Sequence, residues 1–95
     1  PFIQKRTHLD LRDNKNITAK GLEAVLSACQ PGQLKSLDLS NTRLGGKGLK
    51  ILAKSEALTN LELLRIHNVG STEAGERAMA NSTTLPEELT ESFRK

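Results

Sequence analysis

The sequence predicts an α/β fold in which about three short parallel strands alternate with helices along a repeating unit. Leu37 is followed by Leu64 at a spacing of 27 residues. The same spacing joins Leu39 to Ile66. Each unit, here called a row, holds an apolar pair with a period of two and then an apolar stripe with a helical period. Those periods indicate a strand followed by a helix, and regular alternation of the two favours a parallel sheet.

Three rows of this kind fill most of the 95 residues. The first row is one residue longer than the others, because Leu9 precedes Leu37 by 28 residues; the additional residue lies near Lys15 and Asn16. A chain of this length fits one core. We therefore predict a single domain of residues 1–95, with rows at about 6–33, 34–60 and 61–85 and a C-terminal capping helix at about 86–95.

The predicted strand of each row is an apolar-x-apolar triplet. The triplets are Leu9–Leu11, Leu37–Leu39 and Leu64–Ile66. Alternate side chains of a strand point to opposite faces of its sheet, so the apolar residues of all three triplets are expected to share one buried face. The polar residues beside them are expected on the opposite face, in contact with solvent.

The predicted helix of each row carries an apolar stripe at helical spacing. The stripe residues are Leu22, Val25, Leu26 and Cys29 in the first row, Leu49, Leu52 and Ala53 in the second, and Ala74, Ala78 and Met79 in the third. The third stripe is the lightest, so its helix is expected to contribute least to the core.

Threonines precede two of these helices. Thr18 and Thr72 stand where a hydroxyl oxygen can accept from the free amides of a first helical turn. Each is followed three residues later by a glycine, Gly21 or Gly75, which we expect to permit close packing of helix on strand.

A last helix is predicted near the end of the chain. Residues 84–87 match a capping box with a proline in the first turn. Leu85, Leu89 and Phe93 then recur at four-residue spacing, so we expect a cap with Phe93 turned inward.

The second row carries the most complete form of the pattern. Its residues 34–53, LKSLDLSNTRLGGKGLKILA, resemble the ribonuclease-inhibitor class of leucine-rich repeat, and the resemblance extends over about residues 6–85. It implies a right-handed solenoid, a fragment of a horseshoe with short parallel strands inside and helices outside.

The turn after each strand departs in part from that class. The resemblance implies that Asn14 bonds turn backbone groups through its side-chain amide. Thr42 and Val69 occupy the equivalent positions in the later rows. We expect the Thr42 hydroxyl to supply part of this bonding, whereas in the third row either the turn relaxes or Asn68 takes over.

Composition argues against several kinds of partner. The formal charge of +3 comes from 14 basic and 11 acidic residues that are interspersed, and aromatic residues make up 2%, so nucleic-acid binding ranks last. No apolar stretch approaches the length of a membrane span, so we predict no membrane partner. Cys29 is the only cysteine, which fits a reducing compartment. We predict a cytoplasmic location, or the host cytosol for a secreted effector.

The solvent-facing strand positions are predicted to line up in three columns across the sheet. The columns are His8, Ser36 and Leu63; Asp10, Asp38 and Arg65; and Arg12, Ser40 and His67. These positions are free of packing roles and form the predicted partner-binding surface. The resemblance likewise implies protein partners on a concave strand face.

Leu63 is the most informative of these positions, because an apolar residue stands where the other rows carry His and Ser. Contact with a partner would explain it, and so would the ordinary presence of isolated surface leucines. The charged residues of the columns are consistent either with a recognition patch of both signs or with plain solvated surface.

No constellation indicates catalysis. His8 and His67 fall in different columns without a third ligand, so we predict no metal site. Nothing marks a serine as an activated nucleophile, and residues 45–48 lack the spacing of a phosphate-binding loop. We expect no cofactor and no small-molecule substrate.

These observations predict a protein-protein interaction module, not an enzyme, with a protein partner of unknown identity. One alternative is a GTPase-activating or other regulatory leucine-rich repeat protein, although no arginine can be matched to that role. Another is a weak nucleic-acid binder, which the isoelectric point of about 9.3 motivates.

Overall fold

The structure, a computed structural model, describes residues 7–91 and 93. In this part of the chain three strands alternate with helices. The strands are β1 (His8–Asp10), β2 (Ser36–Asp38) and β3 (Leu63–Arg65). The helices are α1 (Ala19–Ser27), α2 (Gly45–Lys54), α3 (Glu73–Ala80) and α4 (Glu87–Glu91), with a 3-10 helix at Glu56–Leu58. The order of strands and helices is the one that the repeat predicts.

The strands form one parallel sheet in the order β1, β2, β3. Leu37 lies opposite Leu9 on one side and Leu64 on the other, so the pairing follows the sequence repeat. Leu37 and Leu39 are 1% and 0% exposed. The predicted parallel strands and their register are confirmed.

The core lies between the sheet and the helices. The inward leucines of the strands join helix residues in one apolar cluster, and α2 packs against α1 on one side and α3 on the other. The helix residues that contribute most are Leu22, Leu26, Leu49, Leu52 and Met79, all buried. Burial of each such side chain contributes about 1.5 to 3 kcal/mol relative to exposure. All the helices of the cluster therefore cover the same face of the sheet, and the opposite face is left to solvent.

Two of the predicted stripe residues are misplaced. Ala74 is exposed at the second position of α3, whereas Gly75 and Ala80 of the same helix are buried. Cys29 lies two residues beyond the end of α1, half-buried against the core, where its thiol donates to the Val25 carbonyl at 3.5 Å.

The two threonine caps differ. The Thr72 hydroxyl oxygen accepts from the backbone amide of Gly75 at 3.1 Å, as predicted. The prediction for Thr18 was wrong, because that residue precedes α1 without a side-chain capping bond. The Thr18 backbone instead forms an isolated parallel bridge with Arg43, and this pairing fixes the orientation of Thr18.

The predicted role of the glycines is also corrected. Gly21 is exposed, and a Cβ added there would meet nothing within 4 Å. A Cβ at Gly75 would lie 3.0 Å from both the Cα of Gly46 and the Cδ1 of Leu49. Both neighbours belong to α2, so Gly75 permits close contact between two helices and not between a helix and a strand.

The segment before α4 does not form the predicted capping box. The Thr84 hydroxyl donates to the carbonyl of Ala53 at 2.9 Å, and the Ser82 hydroxyl donates to the same oxygen at 2.6 Å. These bonds satisfy a carbonyl in the last turn of α2. The helix itself does follow Pro86, and Leu89 and Phe93 pack half-buried against the core. Residues 1–6, before and at the start of the predicted first row, and residues 92, 94 and 95 of the predicted cap lie outside the described residues.

Candidate functional site

The nine predicted binding residues lie on the face of the sheet opposite the helices, here called the strand face. Strand pairing places Ser36 between His8 and Leu63, which forms the first column. The same pairing places Asp38 between Asp10 and Arg65 in the second column.

The third column lies just beyond the ends of the strands. The backbone amide of His67 donates to the Ser40 hydroxyl at 3.2 Å, which joins these two members. Arg12 lies between Leu11 and Asp13, whose amides donate to the carbonyls of Asp38 and Ser40. The pattern of bonds therefore continues past the strands.

Most members of the strand face are open to solvent. Six of the nine are exposed. The three that lie in β2 or just after it are half-buried; these are Ser36, Asp38 and Ser40. Leu63 is 46% exposed and is the one large apolar side chain in the described part of the chain with this degree of exposure. It contributes little to the core, so burial against a partner would give it a role that folding does not.

The charges of the strand face are linked to each other. The guanidinium Nε of Arg12 lies 3.2 Å from the Asp10 carboxylate, and both side chains are well exposed. Burial raises the pKa of Asp38, but hydrogen bonds from the backbone amide and hydroxyl of Ser40 lower it. The positive charges of Arg12 and Arg65 lower it further, so the pKa of Asp38 lies below its ordinary value. This carboxylate is therefore ionised throughout the physiological range.

A shallow depression of about 200 Å³ lies over the first two columns. Pockets that enclose small ligands usually have volumes of about 300 to 1,000 Å³. The depression is smaller than that, so its volume suits one side chain of a protein surface better than a free small molecule.

A ladder of side-chain amides runs along one rim of the sheet, and sequence reasoning missed it. The Asn41 amide donates to the Asp13 carboxylate at 2.6 Å, and the Asn68 amide donates to Oδ1 of Asn41 at 2.9 Å. All three residues have φ near +60°, which Asn and Asp adopt more readily than other non-glycine residues. The recurrence of Asn41 at Asn68 was the available signal, but the spacing alone did not show that the side chains meet.

The neighbouring turn positions behave as the resemblance implied in two rows. The Asn14 amide donates to the carbonyls of Leu11 and Arg12 at 2.8 and 3.2 Å. The Thr42 hydroxyl donates to the Leu39 carbonyl of its own turn at 2.7 Å. In the third row Val69 is buried, and Asn68 donates to the ladder instead of bonding its turn backbone.

Two larger depressions lie away from the strand face. One of about 520 Å³ lies between α1 and α2 and is lined by Leu26, Ile51 and Lys54. The other, of about 690 Å³, follows the amide ladder and includes Lys15 and Arg43. Both mix charges of opposite sign with polar atoms, and neither contains an arrangement of catalytic type.

Metal and membrane features can be assessed for the described residues. Within residues 7–91 and 93, no group of three or more His, Cys, Asp or Glu side chains could hold a metal ion. Over the same residues, no helix has both the length and the apolar character that a membrane crossing requires.

Two segments of the chain are similar to a known family of repeats. A family model described as leucine-rich repeat matches residues 7–26 and 34–53. Over these two segments the chain is similar to leucine-rich repeats. The two matched repeats cover β1 with most of α1 and β2 with most of α2, which are the first and second rows. Leucine-rich repeats are typically binding modules without enzymatic activity, and they generally bind proteins. No curated protein and no solved structure matches the chain.

Proposed function

We propose that this chain is a non-enzymatic protein-interaction module that binds its partner through the strand face. The observation that carries the proposal is the exposure of Leu63 beside Arg65, at the edge of a shallow depression on the side of the sheet that the helices leave uncovered. Apolar anchors next to charged groups are typical of the energetic centre of protein interfaces.

The residues of the strand face have different roles in the proposed recognition. Leu63 supplies apolar area that a partner can remove from water, which favours affinity. Asp38 and Arg65 carry opposite charges side by side, and such charges set orientation and association rate more than affinity. The partner is therefore a protein surface that presents an apolar side chain flanked by charges of both signs.

We propose further that the repeats are of the ribonuclease-inhibitor-like class and stack as a right-handed solenoid with the strand face on its concave side. The row lengths of 27 and 28 residues, the parallel sheet and the helix beside each strand support this assignment. In such a stack the third row, which the family model does not match, is a third repeat built around β3 and α3.

A reducing compartment is the proposed location, either the cytoplasm or the host cytosol for a secreted effector. Cys29 is the single cysteine of the chain, and its thiol is half-buried against the core. Burial raises the pKa of this thiol, which keeps it protonated and slow to oxidise.

The proposal is tested by quantitative capture of partners on immobilised protein. One variant combines Leu63→Glu with Arg65→Glu on the strand face. The matched control combines Ala74→Glu with Lys47→Glu, two exposed positions on α3 and α2, and changes the net charge by the same amount. The strand-face variant should lose specific partners at least tenfold, whereas the control should retain them; equal recovery by both variants would refute the proposal.

A further inference from the structure

The outer edge of β3 has backbone groups without partners among the described residues. In this part of the chain β3 pairs with β2 alone, and backbone groups along a strand alternate in direction. Leu63 and Arg65 point towards β2, because the Leu63 amide donates to the Lys35 carbonyl and the Arg65 carbonyl accepts from Leu39. Leu64 and Ile66 therefore point their amides outward, and neither amide has a hydrogen-bond partner among the described residues.

The side chains along this edge are less covered than those of the strand before it. Leu37 and Leu39 are 1% and 0% exposed, because β3 lies beside them. Leu64 and Ile66, one row later, are only half-buried. An additional strand beside β3 would remove this apolar surface from water and complete the backbone bonds.

We propose that the β3 edge binds an extended peptide segment of another protein as a fourth parallel strand. The segment carries apolar residues beside Leu64 and Ile66, an acidic residue beside Arg65 and a side-chain amide beside Asn68. This surface lies along the edge of the sheet, next to the depression of the strand face, and shares Arg65 with the depression and with the interface proposed above.

The charge of Arg65 selects the acidic residue. In the second column the neighbour of Arg65 on one side is Asp38, and the position on its other side is empty in the described part of the chain. Arg65 forms no ion pair with the described residues, whereas the Arg12 guanidinium is paired with Asp10. An Asp or Glu in the added strand would lie directly opposite Arg65 and give it a close partner.

The amide ladder favours a side-chain amide at the position of the bound peptide that lies beside Asn68. Oδ1 of Asn41 accepts from Asn68, but Oδ1 of Asn68 accepts from no described residue. A side-chain amide at the same position of an added strand would extend the ladder by one bond. A carboxylate at this position would place two hydrogen-bond acceptors together, its own oxygen and Oδ1 of Asn68. A second copy of this chain that paired through its β1 would bring Asp13 to this position, so a second copy is disfavoured as the occupant.

The second row shows that such a sequence fits the geometry. Leu37, Asp38, Leu39 and Asn41 stand beside β1 in the register that the peptide would adopt beside β3. A synthetic peptide with the sequence of residues 34–43, LKSLDLSNTR, is therefore the probe.

Binding of this labelled peptide is measured by fluorescence anisotropy, and hydrogen exchange locates it. Bound peptide should slow exchange at the Leu64 and Ile66 amides and leave Leu63, which already donates to Lys35, unchanged. Arg65→Glu should weaken binding roughly fivefold. The peptide carrying Asp38→Lys should reverse that order and prefer the Arg65→Glu protein. Lys47→Glu, at an exposed position on α2 away from the sheet edge and the strand face, is the matched control and should bind as wild type does.

Three results would each overturn the proposal. One is absence of saturable binding by the peptide, and another is binding without slowed exchange at Leu64 and Ile66. The third is concentration-dependent self-association of the free protein with these amides already protected, which would assign the edge to a second copy of the chain. Restored affinity in the charge-swapped pair supports it, because a merely structural effect of Arg65→Glu would weaken both peptides.

Discussion

The side-chain amide of Asn68 donates to Oδ1 of Asn41 at 2.9 Å, and both residues adopt the left-handed conformation with φ near +60°. Two turns of neighbouring rows are thereby joined by side chains, outside the sheet. A second bond, from the Asn41 side-chain amide to the Asp13 carboxylate, joins the next pair of turns, so the three turns form one hydrogen-bonded rim beside the strand face.

Asn41→Ala should destabilise the protein by about 2 kcal/mol, because it removes two ladder bonds and places a Cβ-bearing residue without a polar side chain at positive φ. Asn41→Gly keeps the backbone conformation accessible and should cost about 1 kcal/mol. Urea unfolding measures both values. Equal stability of the two variants would show that backbone strain has no part in the effect.

Gly75→Ala should destabilise the protein by about 1 to 3 kcal/mol, because the added Cβ would press on Gly46 and Leu49 of α2. Gly21→Ala is the matched control in α1. Its Cβ would meet open space, so the better helix propensity of alanine should stabilise the protein by up to about 1 kcal/mol. Thermal unfolding of the two variants should move in opposite directions; movement in the same direction would contradict the packing described between α2 and α3.

Thr72→Ala should cost about 1 kcal/mol, because the hydroxyl oxygen that accepts from the Gly75 amide is lost. Thr18→Ala should cost clearly less, since the Thr18 side chain makes no capping bond at α1. Chemical denaturation of the pair gives the comparison. A larger loss of stability for Thr18→Ala than for Thr72→Ala would contradict the capping described for α1 and α3.

The Asp38 carboxyl should titrate below the ordinary range of an aspartate, which NMR of the side-chain carboxyl can follow. Since the pKa of Asp38 is lowered in the folded state, its ionised form stabilises the fold above the unfolded-state pKa. That stabilisation is lost as the pH falls through the folded-state pKa, below about pH 4. Arg65→Gln removes one of the lowering charges and should raise the midpoint; an unchanged midpoint would argue against electrostatic contact between these residues.

The strands and their register could be predicted because burial depends on a spacing that is visible in the sequence. Leu37 and Leu64 have to enter the same core, and that requirement alone aligns the rows. Details that depend on partners in another row could not be predicted. The Thr84 hydroxyl bonds the end of α2, which is distant in sequence, so its local capping pattern was misleading.

The strand-face positions followed from the alternation of side chains along the strands, and the pairing places them as the columns require. Their chemistry was less visible. The amide ladder depends on the left-handed turns at Asp13 and Asn41, and no local pattern reports that two such turns bring their side chains together. Which of the nine residues touches a partner stays a prediction.

The most direct test of the strand-face proposal is methyl cross-saturation NMR on the protein bound to a partner obtained by capture. Leu63 is exposed on the strand face, Ala74 is exposed on α3, and Met79 is buried in the core. Irradiation of the partner should reduce the Leu63 methyl signals and leave those of Ala74 and Met79 largely unchanged. Loss of signal at Ala74 with Leu63 unaffected would place the partner on the helices and contradict the account.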